Sequence, residues 1–347
     1  MTTSTLSPPV AARLQPGSAQ PDGGRITLAH GAGGPSMRAL VESVFLAGRA
    51  GAGDDPQAVG LGDLDDGAAI PLGNGAYLVV TTDAHVVHPI FFPGGDIGRI
   101  AVAGTVNDLA MMGCTEPLGL TCAVIVEEGF ARAELERVQA SIRATCEEAG
   151  TGIVSGDTKV MGRGEVDGLV LTTAGVGVTR RVVRDRGLRP GDRLIVSGTV
   201  GDHGLAILSA RKGLQLGDGL RSDVAPLNGL VRAALLAGGD GVVAMKDPTR
   251  GGLASSLHEM AGKSGVGIEL DETAVPLSDA ARAAGELLGI DPLHVANEGK
   301  VVLAVRPEAA DAVLAVLRGH PLGRQAAVVG VATAENVGRV ARRHGAR

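Results

Sequence analysis

From Arg25 onward, short runs of branched apolar residues alternate with longer segments in which apolar residues recur every three or four positions. The clearest of the longer segments, Ala131 to Ala149, keeps its apolar residues on one helical face with charged residues between them. The short runs have the length and the branched side chains of buried strands. The pattern predicts mixed sheets covered by helices in both halves of the chain.

The predicted strands are Tyr77 to Thr82, Leu118 to Val126, Leu169 to Val178, Arg193 to Ser197, Val242 to Met245, Val266 to Leu270, Val301 to Val305 and Ala326 to Val331. The predicted helices are Ile97 to Met112, Ala131 to Ala149, Leu205 to Lys212, Leu227 to Leu236, Leu253 to Lys263, Ala280 to Leu288 and Ala309 to Leu317. The two halves share no period of about 20 to 50 residues, which argues against a solenoid.

Changes in composition divide the chain into an arm and two domains. Residues 1–24 are rich in Ser, Thr, Pro, Gln and Gly without periodicity, so we expect a disordered arm. The segment Arg180 to Arg189 is charged and poor in apolar residues, and a Pro-Gly-Asp turn signal follows it. We therefore expect one domain at residues 25–185 and a second at residues 186–347.

Composition narrows the possible functions. Glycine provides 54 of the 347 residues, about twice its usual share of roughly 7%, and it serves where a backbone turns at positive φ or approaches a ligand. A net charge of -6, four Phe, one Tyr and no Trp argue against a nucleic-acid partner. There is no apolar stretch of about 18 residues and no secretory signal, so we expect a cytoplasmic protein without a membrane partner.

The three cysteines, Cys114, Cys122 and Cys146, are an odd number and form no CxxC pair. This pattern indicates neither a disulfide framework nor a zinc site. All three lie in apolar or helical patterns, so we expect small buried hydrophobic residues.

Six segments place aspartate at the ends of apolar runs, most of them beside glycine. They are Leu64-Asp65-Asp66-Gly67, Thr82-Asp83-Ala84, Gly95-Asp96, Asn107-Asp108, Gly156-Asp157-Thr158-Lys159 and Lys246-Asp247-Pro248-Thr249-Arg250-Gly251-Gly252. Mg²⁺ prefers carboxylate oxygens completed by water and phosphate, so carboxylates gathered at strand ends would form a nucleotide-phosphate site. A single such aspartate is more often a turn former or helix cap, and the prediction depends on their number.

A glycine-rich segment, His30-Gly31-Ala32-Gly33-Gly34, precedes a helical pattern and could hold an anion with its backbone amides. The common nucleotide-binding motifs are absent. Gly262-Lys263-Ser264 resembles the end of a phosphate loop, yet Leu257 stands where its first glycine should be. We interpret this segment as a helix C-terminus with a cationic last turn.

Candidate acids and bases are few. Lys159 lies beside Asp157, and Glu298 precedes an apolar strand, but taken alone both are typical solvated residues. The histidines His85, His88, His203 and His258 do not have metal-ligand spacing, so we interpret them as mostly solvated or packed.

Several of these segments, in the same order, resemble the HypE family of hydrogenase maturation proteins. This family is part of the superfamily of ATP-binding enzymes that includes aminoimidazole ribonucleotide (AIR) synthetase and selenophosphate synthetase. The resemblance runs from Thr27 to Val331 and includes Leu28 to Gly34, Phe91 to Gly98, Gly104 to Asp108, Ser155 to Val160, Val196 to Gly204 and Ala296 to Lys300.

The resemblance implies a two-domain α+β, or mixed α/β, PurM-like fold in which the N-terminal sheet forms a barrel across a homodimer. It implies ATP and Mg²⁺ as cofactors. The implied metal ligands are Asp65, Asp66, Asp83, Asp108 and Asp157. The implied nucleotide site adds Gly33, Gly34, Asn107, Thr158 and Asp247. The implied catalytic residues are Lys159 and Glu298, a pair that assists deprotonation, together with Asp108.

The activity implied by the resemblance is ATP-dependent dehydration of a carbamoyl group, carried on a C-terminal cysteine thiol, to a thiocyanate. The cyanide then passes to the iron of a NiFe hydrogenase precursor. Oxide is a poor leaving group, so ATP phosphorylates the carbamoyl oxygen before a base removes the nitrogen protons. The implied partners are a HypF-type carbamoyl transferase and a HypC–HypD scaffold complex.

The chain departs from the family at its C-terminus. Family members end in a flexible tail closing with Pro-Arg-Ile-Cys, whereas this sequence ends at Arg347 without a terminal cysteine. Either the chain is shortened, or it is a non-catalytic ATP-binding maturation partner. A sister synthetase is a third hypothesis; selenophosphate synthesis is disfavoured because the glycine-rich N-terminal segment has no cysteine.

Overall fold

A computed structural model describes residues 25–31, 33–47, 55, 58–214 and 219–343. The expected arm, residues 1–24, lies outside them. Two sheets follow one another along the described chain, the first within residues 68–179 and the second within residues 193–343. Helices pack against both sheets, which confirms the expected mixed α/β class.

The first sheet has five strands. They are β1 (Ala68–Gly73), β2 (Ala76–His85), β5 (Pro117–Glu127), β6 (Ile153–Met161) and β7 (Leu169–Thr179), with the short pair β3 (Phe91–Phe92) and β4 (Gly95–Asp96) beside them. The order in the sheet is β1-β2-β7-β5-β6. Only β5 and β6 are parallel, because helix α3 (Arg132–Ala149) connects them as a crossover.

Helix α2 (Ile97–Met111) lies between the first sheet and the second domain and is buried on almost every side. It begins where the Asp96 carboxylate accepts hydrogen bonds from the Gly98 and Arg99 backbone amides. A Cβ on Gly98 would lie 2.6 Å from the Val138 carbonyl oxygen, so α2 and α3 pack at backbone distance. This close packing fixes the position of Asp108 near the helix end.

One face of the first sheet is covered by no helix of the described residues. Leu120 of β5 and Leu171 of β7 are buried on the face that packs on α2 and α3. On the opposite face Leu118 is 67% exposed and Val178 is 42% exposed. We call this second surface the open face; it is bordered by β6, whose residues 154–160 are exposed.

The second sheet has six strands in the order β13-β10-β12-β8-β11-β9. They are β8 (Arg193–Val196), β9 (Val242–Lys246), β10 (Gly267–Asp271), β11 (Val302–Val305), β12 (Ala327–Thr333) and β13 (Val340–Arg343). The helices of this half are α4 (Asp202–Arg211), α5 (Asn228–Gly238), α6 (Gly252–Ser264), α7 (Asp279–Leu288) and α8 (Pro307–Gly319). Strand β11 is buried along its whole length, so the core lies at its centre.

Every predicted strand and helix overlaps an element of the structure. The sequence analysis missed β1, β6, β13 and the short pair of β3 and β4. The helical pattern expected after the glycine-rich segment is the short helix α1 (Gly34–Leu40). Gly262-Lys263-Ser264 ends α6, as predicted, with Gly265 as its left-handed cap.

Candidate active site

A cleft of about 940 Å³ lies between the two domains. Its walls come from the glycine-rich segment and α1, the loop before β1, the end of β2, α2, α4, the loop after β9, and residues 294–298. Five of the predicted aspartates and Glu298 meet in it, although they are distant in sequence.

Four acidic side chains, which we call the carboxyl cluster, approach one another on the cleft wall. They are Asp83 of β2, Asp108 of α2, Asp247 directly after β9, and Glu298. Burial, then the charges of neighbouring acids, raises the pKa of Asp108 well above its usual value. The same causes raise the pKa of Asp247 to about 8 and the pKa of Glu298 well above its usual value.

A second set of charged side chains, which we call the ion-pair cluster, closes the cleft floor. It comprises Asp65, Asp66, Arg184, Asp185, Lys246 and Lys263. Lys263 Nζ lies 2.5 Å from Asp185 Oδ2 and 3.1 Å from Asp65 Oδ1. Lys246 Nζ lies 2.7 Å from Asp66 Oδ1. Three acidic side chains therefore face three cations, and the network joins the loop before β1 to the second domain.

The pKa shifts reflect this pairing. Burial disfavours a charge on Asp65, but the contact with Asp185 and the charges of Lys263 and Arg184 hold its pKa below the usual value. Burial would also lower the pKa of Lys246, yet the carboxylates of Asp66 and Asp185 raise it well above normal. Asp65 and Lys246 therefore remain charged at neutral pH. Burial, then the contact with Asp65, instead raises the pKa of Asp185 to about 8, so Asp65 and Asp185 share one proton at neutral pH.

The carboxyl cluster is better suited to a hydrated Mg²⁺ ion than to a metal ion whose ligands all come from the protein. No group of three or more acidic, histidine or cysteine side chains preassembled for a metal occurs in the described part of the chain. Mg²⁺ usually takes one or two carboxylates and completes its shell with water and substrate phosphates. Asp83 and Asp108 could act as such ligands, since a cation would relieve the repulsion that raises the Asp108 pKa.

The glycine-rich segment borders the cleft opposite Arg250. Gly33 and Gly34 both adopt positive φ, at 84° and 75°, and α1 begins at Gly34. A Cβ on Gly33 would lie 3.2 Å from the Arg250 backbone carbon, so glycine permits this close approach. Arg250 is exposed, lines the cleft, and makes no hydrogen bond or ion pair within the described residues.

Two predicted nucleotide ligands are occupied by other contacts. Asp65 accepts from Arg184 and Lys263 through its two oxygens. Asn107 is fully buried: its side-chain oxygen accepts the Leu227 backbone N–H at 2.7 Å, and its amide lies 3.3 Å from the Glu298 backbone oxygen. Asn107 thus holds α2 against the Glu298 loop. The ligand roles of both residues stay predictions.

Three predicted site residues lie outside this chain's cleft. Asp157, Thr158 and Lys159 are exposed on β6. The strand register pairs Asp157 with Ala123 and Lys159 with Ile125, and directly paired residues share a sheet face. Asp157 and Lys159 therefore project from the open face. The structure does not bring Lys159 and Glu298 together within one chain.

The sequence analysis named Lys246, Arg250, His85 and His203 but gave none of them a role in the site, and all four line the cleft. Lys246 and Arg250 belong to the segment that carries Asp247, which was the signal for them. His85 and His203 are 5% and 6% exposed, and both border the cleft.

The cysteines are buried, as predicted. Burial raises the pKa of Cys114 to about 11 and also raises the pKa values of Cys122 and Cys146. Their thiols are therefore poor nucleophiles at neutral pH. Separately, no helix among the described residues is both long and apolar enough to cross a membrane.

Two domain families match this chain. The N-terminal domain of AIR synthase related proteins matches residues 64–179, and the C-terminal domain matches residues 189–342. Carbamoyl dehydratase HypE of Rhizobium leguminosarum bv. viciae is 46% identical over 315 residues, covering 90% of this chain and 87% of that relative. The chain belongs to the HypE family. HypE of Escherichia coli K12 is 44% identical over 88% of this chain and 90% of its own length.

Solved HypE structures have the same fold. A HypE–HypF complex superposes with a TM-score of 0.80 at 40% identity, covering 89% of this chain and 97% of that chain. HypE in complex with ATP superposes with a TM-score of 0.75 at 42% identity, covering 91% and 93%. A ThiL protein at 20% identity has a TM-score of 0.66 and shares the fold. The expected AIR synthase-like architecture is therefore confirmed.

Proposed function

We propose that this protein is an ATP-dependent carbamoyl dehydratase that converts a protein-bound S-carbamoyl group to a thiocyanate, which supplies cyanide for the iron of NiFe hydrogenase. The observation that carries this proposal is that relatives named carbamoyl dehydratase align with about 90% of the chain, a span that includes both walls of the cleft. A solved HypE relative is an ATP complex, which supports ATP as the co-substrate here.

The cleft offers separate places for the nucleotide phosphates and for the base. We assign Asp83 and Asp108 to Mg²⁺, with Asp66 and Asp247 nearby, and Gly33, Gly34 and Arg250 to the phosphates. Bound Mg²⁺ would neutralise phosphate charge during transfer. Asp65 and Lys263 hold the surrounding loops through their ion pair.

Glu298 is the base that we assign to the second step. Attack of the carbamoyl oxygen on the γ-phosphorus of ATP releases ADP and forms an O-phosphorylated intermediate. The carbamoyl nitrogen loses both of its protons: the first leaves as the oxygen is phosphorylated, and Glu298 takes the second as the C–O bond breaks, so that phosphate leaves and a carbon–nitrogen triple bond forms. Burial and the nearby carboxylates raise the Glu298 pKa, which increases its proton affinity when it is ionised.

We propose that the enzyme is a homodimer formed through the open face. Ile70, Leu118 and Val178 on that face are 49%, 67% and 42% exposed, so a second copy would bury an apolar surface. Lys159 projects from the same face. We infer that the partner subunit's Lys159 reaches the Glu298 site.

The remaining partners follow from the family. One relative is solved as a complex with HypF, which supports a HypF-type carbamoyl transferase as the donor of the carbamoyl group. We further propose delivery of cyanide to a HypC–HypD scaffold complex, in the cytoplasm.

The activity is tested on the chain extended at its C-terminus by a flexible segment ending in Pro-Arg-Ile-Cys. With carbamoyl phosphate, ATP and a HypF-type transferase, intact-mass analysis should show the gain of one carbamoyl group and then the loss of one water. Glu298→Gln should accumulate the carbamoylated form, whereas Glu286→Gln, at an exposed position on α7, should behave as the parent. If the extended chain without substitutions is carbamoylated but loses no water, the proposed dehydratase activity is refuted.

Mixing two inactive variants tests the shared site. If Glu298 works with the partner subunit's Lys159, a heterodimer of Lys159→Ala and Glu298→Gln chains contains one intact site. Random mixing makes half the dimers heterodimers, so about a quarter of the parent activity should return. No recovery after complete subunit exchange, measured by native mass spectrometry, would contradict a site shared between subunits.

A further inference from the structure

His203 borders the cleft next to the loop that carries Glu298. It lies in the first turn of α4. The neighbouring Gly204 backbone N–H donates to the Ala296 carbonyl oxygen at 2.9 Å. A Cβ on Gly204 would lie 2.8 Å from Val295 Cβ, so this turn and the Glu298 loop touch at backbone distance. His203 and Glu298 are therefore presented by one closely packed unit.

Two contacts fix the orientation of the His203 ring. Its edge packs against Phe92, with ring centroids 5.7 Å apart and planes at 89°. Nδ1 lies 2.8 Å from Ser222 Oγ, which already accepts the Val224 backbone N–H at 3.1 Å. His203 Nδ1 is the one acceptor within reach of the Ser222 hydroxyl among the described residues, so we assign the hydroxyl proton to Nδ1 and the ring hydrogen to Nε2.

The second ring nitrogen is available to a ligand. Nε2 of His203 has no hydrogen-bond partner within the described residues, and it is not one of their sealed, unpartnered polar atoms. Because His203 lines the cleft, Nε2 is the ring nitrogen left for a ligand there. Burial lowers the pKa of His203 to about 4, despite the opposing charge of Asp223, so the ring is neutral at pH 7.

The hydrogen-bonding needs of a carbamoyl group match this pair. A carbamoyl group has one acceptor oxygen and an NH₂ with two donor hydrogens. The carboxyl cluster provides only acceptors when ionised, so Glu298 suits the NH₂. The oxygen needs a donor, and a neutral imidazole N–H donates without adding charge to the wall.

We propose that His203 and Glu298 bind the two ends of the carbamoyl group. His203 Nε2–H donates a hydrogen bond to the carbamoyl oxygen, and the Glu298 carboxylate accepts one from the NH₂. His203 is then a catalytic residue, because it holds the oxygen that attacks the γ-phosphorus and later leaves with phosphate. This role rests on the dehydratase function proposed above. It gives α4 a direct part in substrate recognition.

Matched substitutions separate donation from packing. His203→Phe keeps a ring against Phe92 but removes the N–H, whereas His203→Gln keeps an N–H donor. We expect His203→Phe to lower the rate of water loss about 100-fold, and His203→Gln to recover at least a tenth of the parent rate. ATP affinity and melting temperature should be unchanged in both. His258→Phe, at an exposed histidine outside the cleft lining, is the control.

A measurement on the ring itself needs no turnover. In the full chain labelled with ¹⁵N-histidine, the His203 nitrogens should report a neutral Nε2–H ring at pH 7, and the Nε2 signal should move on addition of a peptide ending in S-carbamoylcysteine. An Nδ1–H ring, an unmoved signal, or full activity in His203→Phe would overturn the proposal. A moved Nε2 signal with no water loss in the parent chain would refute the dehydratase function and keep the carbamoyl site.

Discussion

The two charged clusters in the cleft differ in what balances their acids. In the ion-pair cluster, three acidic side chains face three cations at short range, as in the 2.5 Å contact between Lys263 and Asp185. In the carboxyl cluster, Asp83, Asp108, Asp247 and Glu298 form no ion pair with a Lys or Arg of the described residues. Burial, then the charges of neighbouring acids, raises the pKa of Asp108, Asp247 and Glu298. In the ion-pair cluster the pKa of Asp65 is lowered, and only that of Asp185, which shares a proton with Asp65, is raised, to about 8.

This difference indicates which acids serve the fold and which serve a ligand. A buried carboxylate is stable only when a cation or hydrogen-bond donors accompany it. The protein supplies those cations for Asp65 and Asp66, so their ion pairs join the loop before β1 to the second domain. It leaves the carboxyl cluster without them, so these acids hold protons until a cation binds, which is the role that we propose for Mg²⁺.

Removing an acid from the carboxyl cluster should affect activity most. Asp108→Asn should lower water loss from the carbamoylated chain about 1000-fold, because a ligand for the phosphate-bound cation is lost. The pKa of Asp108 is higher in the folded state than in the unfolded state, so its ionisation destabilises the fold at any pH above the unfolded pKa. Asn is neutral at every pH, so the substitution should raise the free energy of unfolding at neutral pH by about 1 kcal/mol. Rates and urea unfolding, measured on the same preparation, check both.

The exposed Asp240→Asn is the matched control for this substitution. It should change neither the rate nor the stability. A destabilised Asp108→Asn protein would mean that Asp108 is already balanced within the fold, which would remove the distinction between the clusters.

The sequence predicted the carboxyl cluster better than the ion-pair cluster. Asp83, Asp108 and Asp247 end apolar runs or follow them, so their positions at strand and helix ends could be inferred from the local pattern. Lys263 could be assigned only to a helix C-terminus. Its contact with Asp65 spans 198 residues of sequence, and no local signal predicts such a pairing.

The fold was predictable wherever strands are buried. Strand β11 is apolar throughout because both of its faces are covered. Strand β6 was missed, because it lies at the sheet edge with residues 154–160 exposed and shows no alternation of apolar and polar residues. The position of Lys159 on the open face therefore could not be derived from the pattern alone.

Disrupting the ion-pair cluster should have a smaller effect, and this effect should be on stability and not on the reaction rate. Lys263→Met removes the cation shared by Asp65 and Asp185 and leaves two buried carboxylates without it. The free energy of unfolding should fall by about 3 kcal/mol. At a temperature where the variant remains folded, its ATP affinity should stay within about threefold of the parent's affinity, because Lys263 is assigned no contact with the nucleotide.

A second substitution distinguishes charge from packing at this site. Adding Asp65→Asn to Lys263→Met removes the charge that has lost its lysine partner, so part of the lost stability should return in chemical unfolding. If the double variant is less stable than Lys263→Met alone, the side chains contribute through packing, and the balance of charges is not what stabilises the cluster.

The smallest expected effect is at the three buried thiols, which we expect alkylating reagents to leave unmodified in the native protein. A neutral thiol needs no counter-charge, and burial, with a smaller contribution from the Glu116 charge, raises the pKa of Cys114 from 9.0 to about 11. Its contribution to stability is complete below pH 9.0 and is lost as the pH rises through 11. At pH 8 iodoacetamide should leave Cys114, Cys122 and Cys146 unmodified in the native protein and alkylate all three in urea, as read by intact mass. Rapid alkylation of one native thiol would show that nearby positive charge stabilises its thiolate. Burial without a counter-charge would then not be a reliable sign of a raised pKa, and the same sign could no longer identify the carboxyl cluster as a binding site.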